Sequence, residues 1–324
     1  MEKIRIEYID SLKGFLIICV LTSHVIQLII PNCMNDYLYK FVISFQMPLF
    51  MFVCGFVSFA PIITYGSVKK RFLQLMIPWF FWGAVINPII YADFNINRYV
   101  NLFFYPPFWF LWALFFISLF FYFFNLIANK YNIKQEIIIL LGYFTLAGIY
   151  IGAHFELFHY GLISYHFLFY SIGFFFRKYW KNIQKYLKYC FLICFPIFAI
   201  LFFYIKEEAP LIIFNYTIDR NLLVWIYRIV TAIVSIPVFL YIFKQYGEKV
   251  PYLNIIGKNT MGIYLIHGML LLLIPLFPIV SNNFYYLAVF LFVFLFILVS
   301  NIIINLLRKG RILRFLMLGE KYKS

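Results

Sequence analysis

Residues 8–25 read YIDSLKGFLIICVLTSHV and begin an apolar run that continues to residue 31. A helix needs about 20 apolar residues to cross a bilayer, so this run predicts a first membrane helix. It nevertheless contains Asp10 and Lys13 near its start and His24 far inside. Ionisable side chains are costly at membrane depth, and each is therefore a candidate functional residue.

Helical geometry places Lys13 and His24 on one face, about three turns or about 16 Å apart along the axis. Asp10 falls near the same stripe. One helix would thus present a cation at the inner rim and an imidazole in the outer half of the membrane. This pattern predicts a site that holds an anionic carrier at one end and transfers a proton at the other.

The composition excludes a soluble globular protein. Of the 324 residues 65% are hydrophobic and only 12% are charged, and the mean hydropathy is +0.90. We expect an all-α polytopic membrane protein with one domain over residues 1–324. A net charge of +15 can indicate nucleic-acid binding. Here the Lys and Arg residues lie in short loops between apolar runs, which indicates the inner leaflet instead.

About ten runs are long enough to cross the membrane as a single helical bundle. The shortest, 136–153, is the one we expect to be tilted or partly re-entrant. The ten predicted runs are 12–31, 41–60, 72–92, 109–128, 136–153, 159–176, 188–205, 222–243, 260–280 and 284–307.

The basic residues are divided very unevenly between the two sides of these helices. Outside the helices, one side receives only Lys40, Arg98, Lys206 and Arg220. Nearly all of the other Lys and Arg residues fall on the opposite side. By the positive-inside rule both termini are cytoplasmic, and a bacterial inner (cytoplasmic) membrane is the expected location.

His24 and Lys13 each have a structural and a functional interpretation. His24 either bonds a neighbouring helix or acts as a general base on a hydroxyl. In the structural interpretation Lys13 extends to the interface or pairs with Asp10, and in the functional one it contacts a phosphate. Lys70 and Arg71 are first of all positive-inside anchors, and they could also form a phosphate-binding corner near Lys13.

Polar and aromatic groups recur near other helix ends. Asn259 or Thr260 is placed to cap the ninth helix, whose N-terminal dipole favours an anion. Trp109 follows Pro106-Pro107 at an outer rim, where it packs or anchors the interface. Five scattered cysteines and the His154, Glu156 and His159 turn have unspecific spacings, so we expect no metal site.

Taken together, five motifs in order resemble the integral-membrane acyltransferase family 3, which includes bacterial O-acetyltransferases of cell-surface polysaccharides. The resemblance extends over nearly the whole chain. The motifs are YIDSLKGFLIICVLTSH at 8–24, FQMPLFMFVCGF at 45–56, KKRFLQLMIPWF at 69–80, PFWFLWALFF at 107–116 and KNTMGIYLIH at 258–267.

The resemblance implies transfer of an acyl group, usually acetyl from acetyl-CoA, to a sugar hydroxyl. The family's helix-one His corresponds to His24. Its preceding Arg corresponds to Lys13, as in the branch that resembles fucose 4-O-acetylases. In the family's Arg-x-x-Arg motif Arg71 matches the first Arg, and Gln74 replaces the second.

These observations converge on one expected site. His24 and Asp10 are the two predicted catalytic residues. His24 would be the catalytic base, or a nucleophile that carries the acetyl group, and Asp10 would position Lys13. Acetyl-CoA would be bound by five residues, and three more would contact the saccharide. The carrier-binding set is Lys13, Lys70, Arg71, Asn259 and Thr260, and the saccharide-binding set is Gln46, Trp109 and His267.

Two other classes of function remain open. A transporter or export component for polysaccharide or lipid-linked sugar also needs intramembrane charges. The sequence has no evident inverted repeat or matched pair of broken helices, which disfavours a transporter. A structural membrane partner would tolerate the replacement of His24 by Leu. The sequence does not identify the acceptor, the acyl chain or the oligomeric state.

Overall fold

The computed structural model describes residues 6–60, 64–91, 95–97, 99, 104, 107–153, 157–204, 220–277 and 284–320. Every regular element in this part of the chain is helical, which confirms the all-α prediction. The main helices are α1 (Glu7–Ile29), α2 (Tyr37–Ile43), α3 (Gln46–Ser58), α4 (Tyr65–Ile90), α5 (Trp109–Lys130), α6 (Gln135–Ala153), α7 (Tyr160–Lys178), α8 (Leu187–Leu201), α9 (Arg220–Tyr246), α10 (Pro251–Lys258), α11 (Thr260–Leu271), α12 (Tyr285–Lys309) and α13 (Arg311–Leu318).

Several of these helices can cross a membrane, so the chain is a multi-pass membrane protein. Within the described residues eight helices are long and apolar enough, or up to nine if the bent pair α10–α11 is one span. The sequence predicted about ten. The predicted run 159–176 does form a helix, α7, but this helix carries polar side chains along its length and is not among the candidate spans.

The shortest apolar run, 136–153, was expected to be tilted or partly re-entrant. Residues 136–153 belong to the unbroken helix α6. The axis turns instead by 78° between α10 and the helical segment from Thr260 to Leu276. At the turn Asn259 leaves helical geometry, with φ −104° and ψ 4°. Apolar runs alone do not mark this break, because the residues on both sides of it are apolar.

The chain folds into two compact units. The first comprises residues 1–50 and 179–301, and the second comprises residues 51–178 and 302–324. A single domain over residues 1–324 stays a prediction, because one domain can contain two compact units.

In the first unit α1 is the central helix, with Leu12, Leu16 and Leu21 fully buried. A Cβ on Gly14 would overlap the carbonyl of Leu253, and a Cβ on Gly257 would overlap the carbonyl of Asp10. Helices α1 and α10 are therefore in direct backbone contact. Small residues commonly permit such close approach between membrane helices.

The second unit uses the same device between α3 and α7. A Cβ on Gly55 would overlap the carbonyl of Tyr170, and one on Gly173 would overlap the carbonyl of Phe52. In this unit α4 contains two π-helical turns, Phe72–Met76 and Trp82–Ile86. A proline two residues after each turn removes a backbone donor, which accounts for the local departure from α-helical bonding.

Candidate active site

The His24 imidazole is held by a short hydrogen-bond chain in the first unit. Its Nδ1 lies 3.1 Å from Oε1 of Gln27, and Nε2 of Gln27 donates to the Tyr39 hydroxyl over 2.6 Å. With the Gln27 amide in this orientation, Nδ1 of His24 carries the hydrogen. Nε2 then presents its lone pair, which is the arrangement that a general base requires.

His267 on α11 lies directly beside His24. The ring centroids are 5.4 Å apart, and the ring planes are inclined by 28°. Nδ1 of His267 bonds the Tyr264 carbonyl, which can only accept, so this nitrogen is the donor. Both imidazoles are thus tethered through Nδ1 and keep an Nε2 lone pair. From the sequence we predicted a saccharide contact for His267 and did not predict this pair.

Gln46 contacts Ser23, the residue next to His24. Its Nε2 donates to the Ser23 hydroxyl over 3.2 Å, and that hydroxyl also bonds the Val20 carbonyl over 2.8 Å. Gln46 and Ser23 are both buried. Gln46 was predicted to contact the saccharide, and the structure places its amide against the residue that precedes His24. It therefore helps to fix the backbone position of His24.

The predicted pairing of Asp10 with Lys13 is confirmed. Lys13 Nζ lies 2.7 Å from Oδ1 of Asp10, whose side chain is almost fully buried while the Lys13 side chain is 22% exposed. Asp10 is about 21 Å from His24 along the axis of α1. The two predicted catalytic residues are thus not brought together, and the contact of Asp10 is with the cation.

The predicted capping of the ninth helix is wrong. Asn259 occupies the N-cap position of α11, but its side chain makes no capping bond. Its Nδ2 donates instead to Oδ1 of Asn301 over 2.6 Å. The Thr260 hydroxyl donates backwards to the Gly257 carbonyl over 3.1 Å. The Thr260 bond therefore spans the break between α10 and α11, and the Asn259 bond ties the break to α12.

In the second unit Arg71 leaves α4 towards α3 and α7. Its guanidinium donates to the Ser58 hydroxyl and lies 5.8 Å from the centre of the Tyr170 ring. Within the described ranges no carboxylate lies within ion-pair distance of Arg71. Lys70, one residue earlier, is exposed. Guanidinium donors without a carboxylate partner suit an anionic ligand.

Trp109 stacks on His166, a residue that the sequence analysis did not single out. The ring centroids are 5.4 Å apart and the planes are inclined by 21°. Trp79 and Trp112 are buried, and their indole N–H groups bond the carbonyls of Pro107 and Phe158. Trp79 and Trp112 thus pack inside the second unit, whereas Trp109 is only half-buried.

The predicted turn of possible metal ligands lies partly outside the described residues, since His154 and Glu156 fall there. In the part of the chain that the structure does describe, no group of three or more His, Cys, Asp or Glu side chains could hold a metal ion.

A family model described as an acyltransferase domain matches residues 6–307, nearly the entire chain. The chain belongs to acyltransferase family 3. Membership in this family makes the protein a transferase enzyme that moves an acyl group. The match also confirms the family resemblance that was inferred from the five sequence motifs.

Two relatives of this acyltransferase are nodulation proteins NolL. The protein from Sinorhizobium fredii is 30% identical over 190 residues, which cover 52% of this chain and 48% of the relative. The protein from Mesorhizobium japonicum is 30% identical over 122 residues, which cover 33% and 32%. The acyltransferase thus aligns with less than half of each relative. No solved structure matches it significantly.

The residues that sequence reasoning missed are partners of those it found. Gln27 lies three residues after His24, a spacing that predicts a contact on one helix face. No comparable spacing in the sequence predicts the contacts of Tyr39, Ser23 and His166. Each becomes recognisable only when separate helices are packed together.

Proposed function

We propose that this acyltransferase moves an acetyl group from acetyl-CoA to a sugar hydroxyl of a cell-surface polysaccharide or lipid-linked glycan. The observation that carries the proposal is the tethered His24 imidazole, whose free Nε2 lies on the helix that matches the family's first motif. NolL, named as a nodulation protein, supports a role outside central metabolism. We place the enzyme in the cytoplasmic membrane of a bacterium.

In the proposed step Nε2 of His24 takes the proton of the acceptor hydroxyl. The hydroxyl oxygen attacks the thioester carbonyl, a C–O bond forms and the C–S bond breaks. The leaving CoA thiolate takes the proton from the imidazolium, which restores neutral His24. Oε1 of Gln27 accepts a hydrogen bond from Nδ1 of His24 throughout, and this bond stabilises the imidazolium.

The second imidazole has a supporting role in this scheme. His267 keeps its own Nε2 lone pair beside the His24 ring. A lone pair at that position can accept a hydrogen bond from the acceptor sugar or from the His24 imidazolium. Either bond would form to a charged or reacting group, and such hydrogen bonds are the stronger kind.

Five residues are proposed to bind the phosphates of acetyl-CoA. Lys13 uses one of its three N–H donors on Asp10, which leaves two for an anion. Arg71 has guanidinium donors beyond the one that bonds Ser58. Lys70, Asn259 and Thr260 complete the proposed set. A phosphate contact of this kind raises affinity for the carrier without entering the chemistry.

The test uses protein reconstituted in proteoliposomes with acetyl-labelled acetyl-CoA. Release of CoA thiol and transfer of label to neutral hexose glycosides are measured for wild type, His24→Ala and Thr22→Val. Thr22 is a matched control, because its hydroxyl bonds the Ile18 carbonyl on the same helix. We expect transfer by wild type and Thr22→Val, and loss of transfer by His24→Ala.

Three outcomes would change the proposal. Unchanged transfer by His24→Ala at equal membrane insertion would remove His24 from the chemistry. Label that stays on the protein when no acceptor is present would indicate an acetyl-His24 intermediate in place of base catalysis. Movement of lipid-linked sugar across the vesicle membrane, with no acetyl transfer by wild type, would support the transporter.

A further inference from the structure

Helix α7 buries polar side chains, and one of them stands apart from the rest. Ser164, His166 and Ser171 are all buried. The hydroxyls of Ser164 and Ser171 donate to the carbonyls of Gly161 and Phe167 on the same helix. His166 Nδ1 is buried and has no hydrogen-bond partner within the described ranges.

The histidines on α1 and α11 do not share this property. His24 and His267 are both tethered through Nδ1 by a residue on their own helix. An imidazole in a dry site has a donor and an acceptor, and leaving such groups without partners costs about 1–3 kcal/mol each. A partner from outside the described chain is therefore expected at His166.

The surroundings of His166 are aromatic on several sides. Trp109 stacks on the ring, the Tyr165 ring meets it edge-on at 5.0 Å, and Phe169 lies 6.2 Å away, all measured between centroids. The described residues place no acid, Lys or Arg in ring contact or hydrogen-bond contact with His166. A charged ligand would lack a counter-charge here, so an uncharged ligand fits better.

A ligand can reach the ring cluster around His166 at Trp109. Its side chain is only half-buried, unlike those of Trp79 and Trp112. Those two bond backbone carbonyls through their indole N–H groups. No described residue accepts a hydrogen bond from the Trp109 indole. The stacked pair thus offers an apolar ring face, an indole donor and an imidazole that can donate or accept.

We propose that Trp109 and His166 form a saccharide-binding subsite, in which ring hydroxyls of the sugar bond the imidazole and the indole N–H. A sugar is uncharged, presents C–H groups to an aromatic face, and carries hydroxyls that both donate and accept. This inference rests on the proposed function, because the saccharide is the acetyl acceptor. It adds His166 to the predicted contact at Trp109 and assigns the bonding groups.

The first test is kinetic. His166→Phe retains the stacked ring and removes both nitrogens, and Ser171→Ala on the same helix is the control. We expect His166→Phe to raise KM for the hexose glycoside about tenfold, the loss of about one hydrogen bond. KM for acetyl-CoA and acceptor-independent thiol release should not change. An unchanged KM for the glycoside would overturn the subsite.

The second test measures binding without turnover. In a His24→Ala background, tryptophan fluorescence is titrated separately with soluble hexose glycosides and with lipid-linked sugar, with and without Trp109→Phe. Saturable quenching that requires Trp109 supports the subsite, and the better titrant identifies the form of the acceptor. Absence of such quenching for both titrants would overturn it.

The two tests also separate failure of the subsite from failure of the proposed function. Wild type that transfers no acetyl while binding sugar through Trp109 would reject the acetyltransferase proposal and keep the subsite. If His166→Phe fails to insert, Trp109→Phe carries the kinetic test, since its half-exposed side chain tolerates substitution better. An unchanged glycoside KM in that variant would likewise overturn the subsite.

Discussion

The two units of this acyltransferase each contain a stacked pair of rings that includes a histidine, and the two pairs differ in how their nitrogens are bonded. In the first unit His24 and His267 are both tethered through Nδ1 to groups on their own helices. In the second unit His166 stacks on Trp109 with Nδ1 unbonded within the described ranges.

This difference separates two uses of an imidazole in a membrane. A tether on Nδ1 sets the tautomer and aims Nε2, so the ring is ready for proton transfer before any ligand arrives. An untethered imidazole obtains its hydrogen bonds from the ligand, which suits recognition. This comparison is the basis of our two separate proposals, proton transfer at His24 and sugar binding at His166.

The largest expected effect contrasts His24→Gln with His166→Gln. Loss of the base should lower kcat by roughly 10²–10⁴-fold, the range typical of general-base catalysis. His166→Gln retains hydrogen-bonding groups and should act mainly on KM for the saccharide. Initial rates over a grid of both substrates give the two parameters. A large fall in kcat for His166→Gln would abolish the distinction between the two pairs.

A smaller effect is expected for His267→Phe, which keeps the stacked ring and removes the second Nε2. We expect kcat/KM for the acceptor to fall about 10- to 100-fold, because a hydrogen bond to a charged group contributes about 1.5–3 kcal/mol. Tyr264→Phe preserves the carbonyl that tethers His267 and serves as the control. Full activity in His267→Phe would show that His24 acts without help from His267.

The carrier end of α1 should respond in a different parameter. Lys13→Ala should raise KM for acetyl-CoA about tenfold, through loss of one charge-assisted hydrogen bond. Lys13→Arg should restore most of the affinity. The single variant removes the Lys13 ammonium from the buried Asp10 carboxylate, which is itself destabilising. Asp10→Asn/Lys13→Ala therefore accompanies it, and unchanged KM in both would remove Lys13 from the carrier site.

The smallest effect is expected at the tether itself. Gln27→Leu frees Nδ1 of His24, and the activity should fall about 3- to 10-fold as the ring samples the other tautomer. Gln27→Glu should recover activity, because a carboxylate accepts the same hydrogen. Rates measured as a function of pH distinguish a changed base from a changed fold. If Gln27→Leu and wild type gave identical profiles, the tether would be irrelevant to catalysis.

Local features of the helices were predictable from the sequence. The pairing of Asp10 with Lys13 follows from i, i+3 spacing within one helix, and the structure has it. The wrong capping prediction at Asn259 and Thr260 has the opposite origin. An N-cap residue was inferred from the local sequence, but the Asn259 side chain found a partner on α12, Asn301. A tertiary contact replaced the local one.

The position of the helix break could not be predicted from the sequence either. The shortest apolar run, 136–153, forms an unbroken helix, whereas the turn occurs between α10 and α11. That turn follows Gly257, where the missing side chain allows α10 to meet the backbone of α1 at Asp10. The requirement for glycine comes from the neighbouring helix and leaves no periodic signal in the sequence.

The sequence by itself determined that this chain is an all-helical, multi-pass acyltransferase with Lys13 and His24 on its first helix. Lipid cannot satisfy backbone hydrogen bonds, so long apolar runs must become helices, and helical spacing then orders the residues within each one. Only the tertiary structure brought His267 to His24, Tyr39 to Gln27 and His166 to Trp109. These contacts join different helices, and apolar helix faces of similar composition do not specify from sequence which faces will meet.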